Sequence, residues 1–136
     1  MSETQLKIEL VTPKGTGLSE DATFVKLPAQ GGEVGVYPNH SPTLALLSPG
    51  ELIVRTGETD TPYFVSEGIA HIDKTKVTVI CPFIEKVSET DTQRANQSKI
   101  RAEQRLTGKD SGINILRAKQ ALKRADTRLE LAQRHH

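Results

Sequence analysis

Lys76-Val77-Thr78-Val79-Ile80-Cys81-Pro82-Phe83-Ile84-Glu85-Lys86-Val87-Ser88-Glu89-Thr90-Asp91-Thr92-Gln93 is where the folding grammar of this 136-residue chain changes. Val77 and Val79 alternate with Thr78, the period-two pattern of a strand that buries one face. Ten residues later, Thr90 and Gln93 have the spacing of a capping box, which starts a helix. Upstream of residue 88 lie all seven prolines, all five aromatic residues and eight of the ten glycines. Downstream there is no proline and no aromatic residue. Charge divides along the same line, with net −4 over residues 1–87 and net +5 over residues 88–136. The reading is two domains: residues 1–87, an all-β sandwich, and residues 88–136, an antiparallel α-helical hairpin.

Working upstream, short apolar segments recur about every ten residues, each bounded by Pro or Gly. Leu6-Lys7-Ile8-Glu9-Leu10 alternates strictly. Thr23–Leu27, Thr43–Leu47, Glu51–Arg55, Tyr63–Ser66, Gly68–Ile72 and Lys76–Ile80 complete the set. Strands of this length and spacing make a sandwich or barrel, and no gap between them holds a crossover helix. Working downstream, the first helix runs to about Leu106, with Ala95, Ser98, Ala102 and Leu106 on one side. Thr107-Gly108-Lys109-Asp110-Ser111-Gly112 is the connector, with Gly108 suited to end one helix and Asp110 or Ser111 to cap the next. Ile115, Ala118, Leu122, Ala125, Leu129 and Ala132 then step by 3, 4, 3, 4 and 3, a heptad seam. Half of that seam is alanine, so its burial gains little free energy. The hairpin is expected to dock weakly and to be able to leave its dock; a stably packed hairpin is the alternative.

The composition excludes several functions. The formal net charge of +1 gives no field for capturing nucleic acid, and the basic helices lack aromatic platforms. Cys81 is the lone cysteine, which excludes an internal disulfide framework and is read as a buried, inert thiol. No apolar run approaches the roughly 20 residues of a membrane span. The N-terminal residues have neither a basic region nor a long apolar stretch, so no targeting leader is expected. There is no phosphate-binding glycine loop, no nucleophile elbow and no zinc-binding His-Glu-x-x-His. His40 and His71 have no acid–nucleophile pattern around them, and His135 and His136 are terminal. The chain is not expected to be an enzyme by itself, nor to require a cofactor or metal.

Gly31-Gly32-Glu33-Val34-Gly35-Val36-Tyr37-Pro38-Asn39-His40-Ser41-Pro42 is the most distinctive stretch, since three glycines and two prolines fix an unusual backbone path. Taken alone it reads as a connector with solvated Glu33 and His40. Its pattern Gly-Glu-x-Gly-Val-x-Pro-x-His-x-Pro resembles the epsilon subunit of F-type ATP synthases. Leu10-Val11-Thr12-Pro13-Lys14-Gly15 is similar to that family's first strand and turn, and Arg117–Leu129 to its second helix. Ser66-Glu67-Gly68-Ile69-Ala70-His71-Ile72 matches more loosely, with Glu67, Ile69 and His71 departing from the family's usual glycine, aromatic and acid.

The resemblance implies a central-stalk rotor subunit of a proton- or sodium-translocating enzyme. Its sandwich would contact the gamma subunit and the membrane-embedded c-ring, with Glu33 at the ring contact and His40 near gamma. Its hairpin would fold down or extend along gamma toward the alpha and beta subunits, where it opposes ATP hydrolysis. The chain would then be peripheral on the cytoplasmic face of a bacterial plasma membrane, or on the stromal face of a thylakoid. Some relatives also bind ATP as a regulatory ligand on the hairpin. The matching positions here are Glu85, Asp91, Arg94, Ala95, Arg101, Arg124 and Arg128, with Thr90 replacing the motif's aliphatic residue. The plainer account of Asp91 and Arg94 is helix-start electrostatics. An independent ATP-sensing protein is the rival reading.

Overall fold

Among the described residues, ten short β-strands form where apolar and polar residues alternate and where a neighbouring strand supplies pairing that the local sequence does not advertise. The computed structural model describes residues 5–89, 92–107 and 112–134. Two compact units divide the chain between Lys86 and Val87.

The first unit contains β1 (Leu6–Thr12), β2 (Gly15–Ala22), β3 (Phe24–Ala29), β4 (Gly32–Val36), β5 (Thr43–Leu47), β6 (Gly50–Thr56), β7 (Thr59–Val65), β8 (Gly68–Ile72), β9 (Lys76–Ile80) and β10 (Ile84–Lys86). The strand order is β10-β7-β6-β3-β5-β8-β9-β1-β2, with β4 also on β3. Strand β3 is the joint. Phe24 to Lys26 pair with Arg55 to Ile53 of β6, whereas Ala29 pairs with Leu47 of β5. One strand shared in this way turns a continuous ladder into two layers that face each other. All pairings are antiparallel except β1 with β9, where Ile8 lies beside Val77 and Leu10 beside Val79.

The inward positions of both layers meet in one core. Leu6, Ile8 and Leu10 of β1 join Val77 and Val79 of β9, Ile72 of β8, Val25 and Leu27 of β3, and Leu52 and Val54 of β6. Each is fully buried, which stabilises the fold by about 1.5–3 kcal/mol per side chain relative to exposure.

The second unit opens with a single 3-10 turn, Val87–Glu89, followed by α1 (Thr92–Thr107) and α2 (Gly112–Arg134). The two helices pack on each other, and Lys99 of α1 reaches Asp126 of α2 at 3.0 Å. Ala95 and Ala102 of α1 and Ala118, Ala125 and Ala132 of α2 are buried. Their seven-residue spacing is the expected seam, and the missing side-chain bulk lets the backbones come close. Leu122 and Leu129 are only half-buried beside it. The expected Thr90 cap and the Gly108 and Asp110 or Ser111 punctuation lie outside the described residues. No described helix is long and apolar enough to cross a membrane.

Candidate functional site

The glycine-rich stretch is strand as well as loop. β3 and β4 form a hairpin in which Ala29 pairs with Gly32, Pro28 with Glu33, Lys26 with Gly35 and Val25 with Val36. The turn is only Gln30-Gly31, and Gly32 follows it at φ 133°, a backbone state that glycine reaches without strain. Gly35 has a different reason. A Cβ there would lie 3.0 Å from the Phe24 ring, so its absence lets Phe24 lie across β4. The Phe24 ring then packs on Tyr37 at 4.7 Å between centroids, and the Arg55 guanidinium sits 4.7 Å from the Phe24 ring centre. Asp60 holds Arg55 in turn, with an Nε–Oδ1 distance of 2.7 Å.

Glu33 stands beside the hairpin turn with its side chain 65% exposed. Lys26 Nζ lies 2.7 Å from Glu33 Oε2 and 3.0 Å from Glu51 Oε1. Partial burial pulls the Lys26 ammonium pKa down, but hydrogen bonds and charge from Glu33 and Glu51 outweigh it and raise the value above that of an ordinary lysine. At the other end of β4, Asn39 adopts φ 69° and its N–H donates to the Lys74 carbonyl at 2.8 Å. This pins the Pro38–Pro42 loop to the β8–β9 turn. His40 is half-buried, and its Nδ1 is 2.7 Å from the Ser41 carbonyl oxygen. A carbonyl only accepts, so Nδ1 carries the proton in that bond. Pro28, the pairing partner of Glu33, accepts from the Ser48 N–H just past the C-terminal end of β5, whereas Asn39, next to His40, bonds to Lys74, just past Ile72, which pairs with Thr43 at the other end of β5. The two residues therefore address opposite ends of the sandwich and do not form one site.

A third surface was not legible in the sequence. Leu44, Leu46, Ile69 and Ile80 are 66%, 53%, 42% and 54% exposed. Strand register places them together: Leu46 pairs with Ile69, Ile69 with Ile80, and Ile80 with Val11. An aliphatic row thus crosses the outward face of β5, β8, β9 and β1, opposite the core. Period-two reading assigns one apolar face per strand and misses it. The available signal was Thr43–Leu47, which carries apolar residues on both faces.

On the hairpin, Arg94 and Arg101 lie seven residues apart, hence within about 20° of each other around α1. Arg124 and Arg128 are one turn apart on α2. Helical geometry puts all four on one flank of the alanine seam. The Lys99–Asp126 pair occupies the other flank, beside a groove of about 500 Å³ that Gln93, Asn96, Leu129, Glu130 and Gln133 also line. None of the four arginines lines that groove. Ala95 is buried in the seam, Glu85 is on β10 in the first unit, and Asp91 lies outside the described residues. Cys81 is buried, and burial pushes its thiol pKa up, away from the reactive thiolate. Among the described residues no three His, Cys, Asp or Glu side chains gather as a metal site.

Comparison with known proteins gives the family. The family model "ATP synthase, Delta/Epsilon chain, beta-sandwich domain" matches residues 5–87, and "ATP synthase, Delta/Epsilon chain, long alpha-helix domain" matches residues 88–133. The ATP synthase epsilon chain of Syntrophobacter fumaroxidans is 38% identical, over 96% of this chain and 97% of that one. Those of Herpetosiphon aurantiacus and Desulforamulus reducens are each 35% identical, over 94% and 98% of this chain and 94% and 100% of theirs. A chain in the Euglena gracilis mitochondrial ATP synthase assembly of OSCP, F1 and c-ring shares the fold, with a TM-score of 0.80 at 23% identity over 96% of this chain and 82% of that one. A chain in the central stalk and c-ring of the Tetrahymena thermophila mitochondrial enzyme does so at a TM-score of 0.63 and 12% identity, over 97% of this chain and 99% of that one. Sandwich, hairpin and near-complete coverage of its relatives agree: this chain belongs to the epsilon-chain family of F-type ATP synthases.

Proposed function

We propose that this chain is a non-catalytic rotor subunit of a proton- or sodium-translocating ATP synthase. Residues 1–87 couple the gamma subunit to the c-ring, and residues 88–136 form a hairpin that opposes ATP hydrolysis. The observation that carries this reading is the exposed aliphatic row of Leu44, Leu46, Ile69 and Ile80. Aliphatic side chains spread contiguously over several strands are costly to leave in water and mark a protein interface. The gamma subunit is the occupant assigned to it, with His40 at the neighbouring end of the sandwich. Glu33, beside the opposite hairpin turn, is assigned to the ring. A protein that works through two surfaces at opposite ends of a rigid body suits transmission of torque.

The hairpin has the properties a movable arm needs. Its seam is alanine-rich, which limits the area lost when it opens, and residues 88–136 carry net +5. Such a charge steers an arm toward an acidic surface, here assigned to the alpha and beta subunits. The flank bearing Arg94, Arg101, Arg124 and Arg128 suits a polyphosphate through charge-assisted hydrogen bonds, so ATP is assigned as a regulatory ligand of the folded hairpin. The working position is peripheral, on the cytoplasmic face of a bacterial plasma membrane or the stromal face of a thylakoid.

The test is ATP-driven ion pumping by membranes depleted of this subunit. Added back, the chain restores pumping, and the Leu46→Asp variant does not. Restoration by Leu46→Asp as complete as by the wild type would remove the aliphatic row from the coupling path.

A further inference from the structure

Glu33 is poorly placed to hold itself still. It lies on β4 next to a two-residue turn, and Gly35, two residues on and on the same face of the strand, has no side chain to pack against it. An exposed glutamate in such a place samples several rotamers, and binding would have to freeze one of them. Lys26 removes that freedom. It stands on β3, inside the sheet between β4 and β6, with its aliphatic stem largely covered and its side chain 27% exposed. Its ammonium reaches Glu51 on β6 and Glu33 on β4 simultaneously. Glu51 is only 11% exposed, so it is the fixed end, and Glu33 is the presented end.

We propose that Lys26 is a positioning residue for Glu33, anchored on Glu51 and holding the Glu33 carboxylate ready for the ring contact. This rests on the assignment of Glu33 to the ring. Two carboxylates and one ammonium leave the triad at net −1. Lys26 engages one Glu33 oxygen, so acceptor capacity remains for a donor on the partner. Lys26 thus orders the carboxylate without cancelling the charge that the contact uses.

The experiment measures binding of the full-length chain to the matched gamma–c-ring assembly depleted of this subunit. Lys26→Met weakens binding by about three- to tenfold, the cost of ordering one long side chain on binding. Glu33→Gln weakens it at least as much, and the double variant binds no worse than Glu33→Gln alone. Lys26→Arg restores most of the affinity, because it keeps both ion pairs. Should Lys26→Met fail to fold, Lys26→Gln takes its place, and Glu51→Gln, which removes the anchor but keeps the Lys26–Glu33 pair, gives a smaller loss in the same direction.

Equal losses from Lys26→Met on the wild-type and Glu33→Gln backgrounds would make Lys26 a structural residue and overturn the proposal. So would unchanged binding by Lys26→Met beside a weakened Glu33→Gln, an outcome that leaves the ring assignment intact. Unchanged binding by Glu33→Gln would remove both. A wild-type chain that does not bind the assembly would count against the rotor assignment itself.

Discussion

Leu46 of β5 and Ile69 of β8 are paired across the sheet, and both side chains face away from the core into solvent. Their chain neighbours on the inward side, Leu47 and Ala70, are fully buried. One sheet therefore has two apolar faces, of which the fold needs only one. The second is available for a partner. Replacing Leu46 or Ile69 by Asp is expected to lower affinity for the gamma subunit by tenfold or more, about 1.4 kcal/mol or above for a residue central to an interface. The melting temperature of the isolated chain changes little, since outward strand positions cost about 1 kcal/mol at most. Calorimetric titration against gamma alongside thermal unfolding separates the two effects.

Gly68 is required by packing. A Cβ there would overlap the Ile80 carbonyl oxygen and lie 2.5 Å from the Cys81 Cβ. Both obstacles belong to backbone or the first side-chain atom, so neither can swing away. Gly68→Ala is expected to destabilise the sandwich by about 1–3 kcal/mol. Gly35→Ala costs less, because its obstacle is the edge of the Phe24 ring at 3.0 Å, which can tilt toward solvent. Urea unfolding of the two variants checks the order; equal stabilities would contradict it.

Lys99 and Asp126 tie the two helices across an exposed flank. The Asp126 carboxylate raises the Lys99 pKa, the direction expected for a favourable pair. Exposed pairs of this kind are weak and are screened by salt. A double-mutant cycle with Lys99→Met and Asp126→Asn is expected to give a small favourable coupling at low salt, fading at about 1 M, where the screening length falls to roughly 3 Å. A coupling energy independent of salt would show that the pair acts through packing.

Two carboxylates make the fold sensitive to acid. Arg55 holds the Asp60 carboxyl below its ordinary range, and Lys76 does the same to Glu9. A carboxyl whose folded pKa is depressed stabilises the fold above its unfolded pKa, about 3.9 for Asp and 4.3 for Glu. That contribution is lost as pH falls through the folded value. Lys26 has the opposite sign. Its raised pKa stabilises the fold below about pH 10.4, and the contribution disappears as pH climbs through the folded value. Asp60→Asn and Glu9→Gln are therefore expected to flatten the acid limb of stability against pH, and Lys26→Met the alkaline limb. Urea midpoints measured from pH 2 to pH 11 give the slopes. An unchanged acid slope in Asp60→Asn would contradict the Arg55 assignment.

The sandwich and hairpin were legible because their inward residues follow simple periods. Val77 and Val79 alternate, and the alanines of α1 and α2 repeat by seven. Strand β2 was not, since Gly15–Ala22 pairs only with β1 and exposes most of its residues to water. The sequence of strand β4 reads as connector because Gly32, Glu33 and Gly35 carry almost no hydrophobic signal; β3 supplies the pairing and Phe24 explains Gly35. Strand β10 is three residues long, below the reach of any period. Glu33 and His40 came from family resemblance and have no local pattern that marks them. Lys26 and Glu51 were invisible as partners, because 25 residues separate them and only the β3–β6 register brings them together.

In the proposed function the sandwich anchors and the hairpin brakes. The most direct test is ATP hydrolysis by a catalytic core that contains gamma but lacks this subunit, with either the full chain or residues 1–87 added back. Binding is scored in parallel by co-sedimentation with the core. Both forms are expected to bind, and only the full chain to slow hydrolysis. Equal hydrolysis rates with both forms bound, or an absence of binding by either, would contradict it.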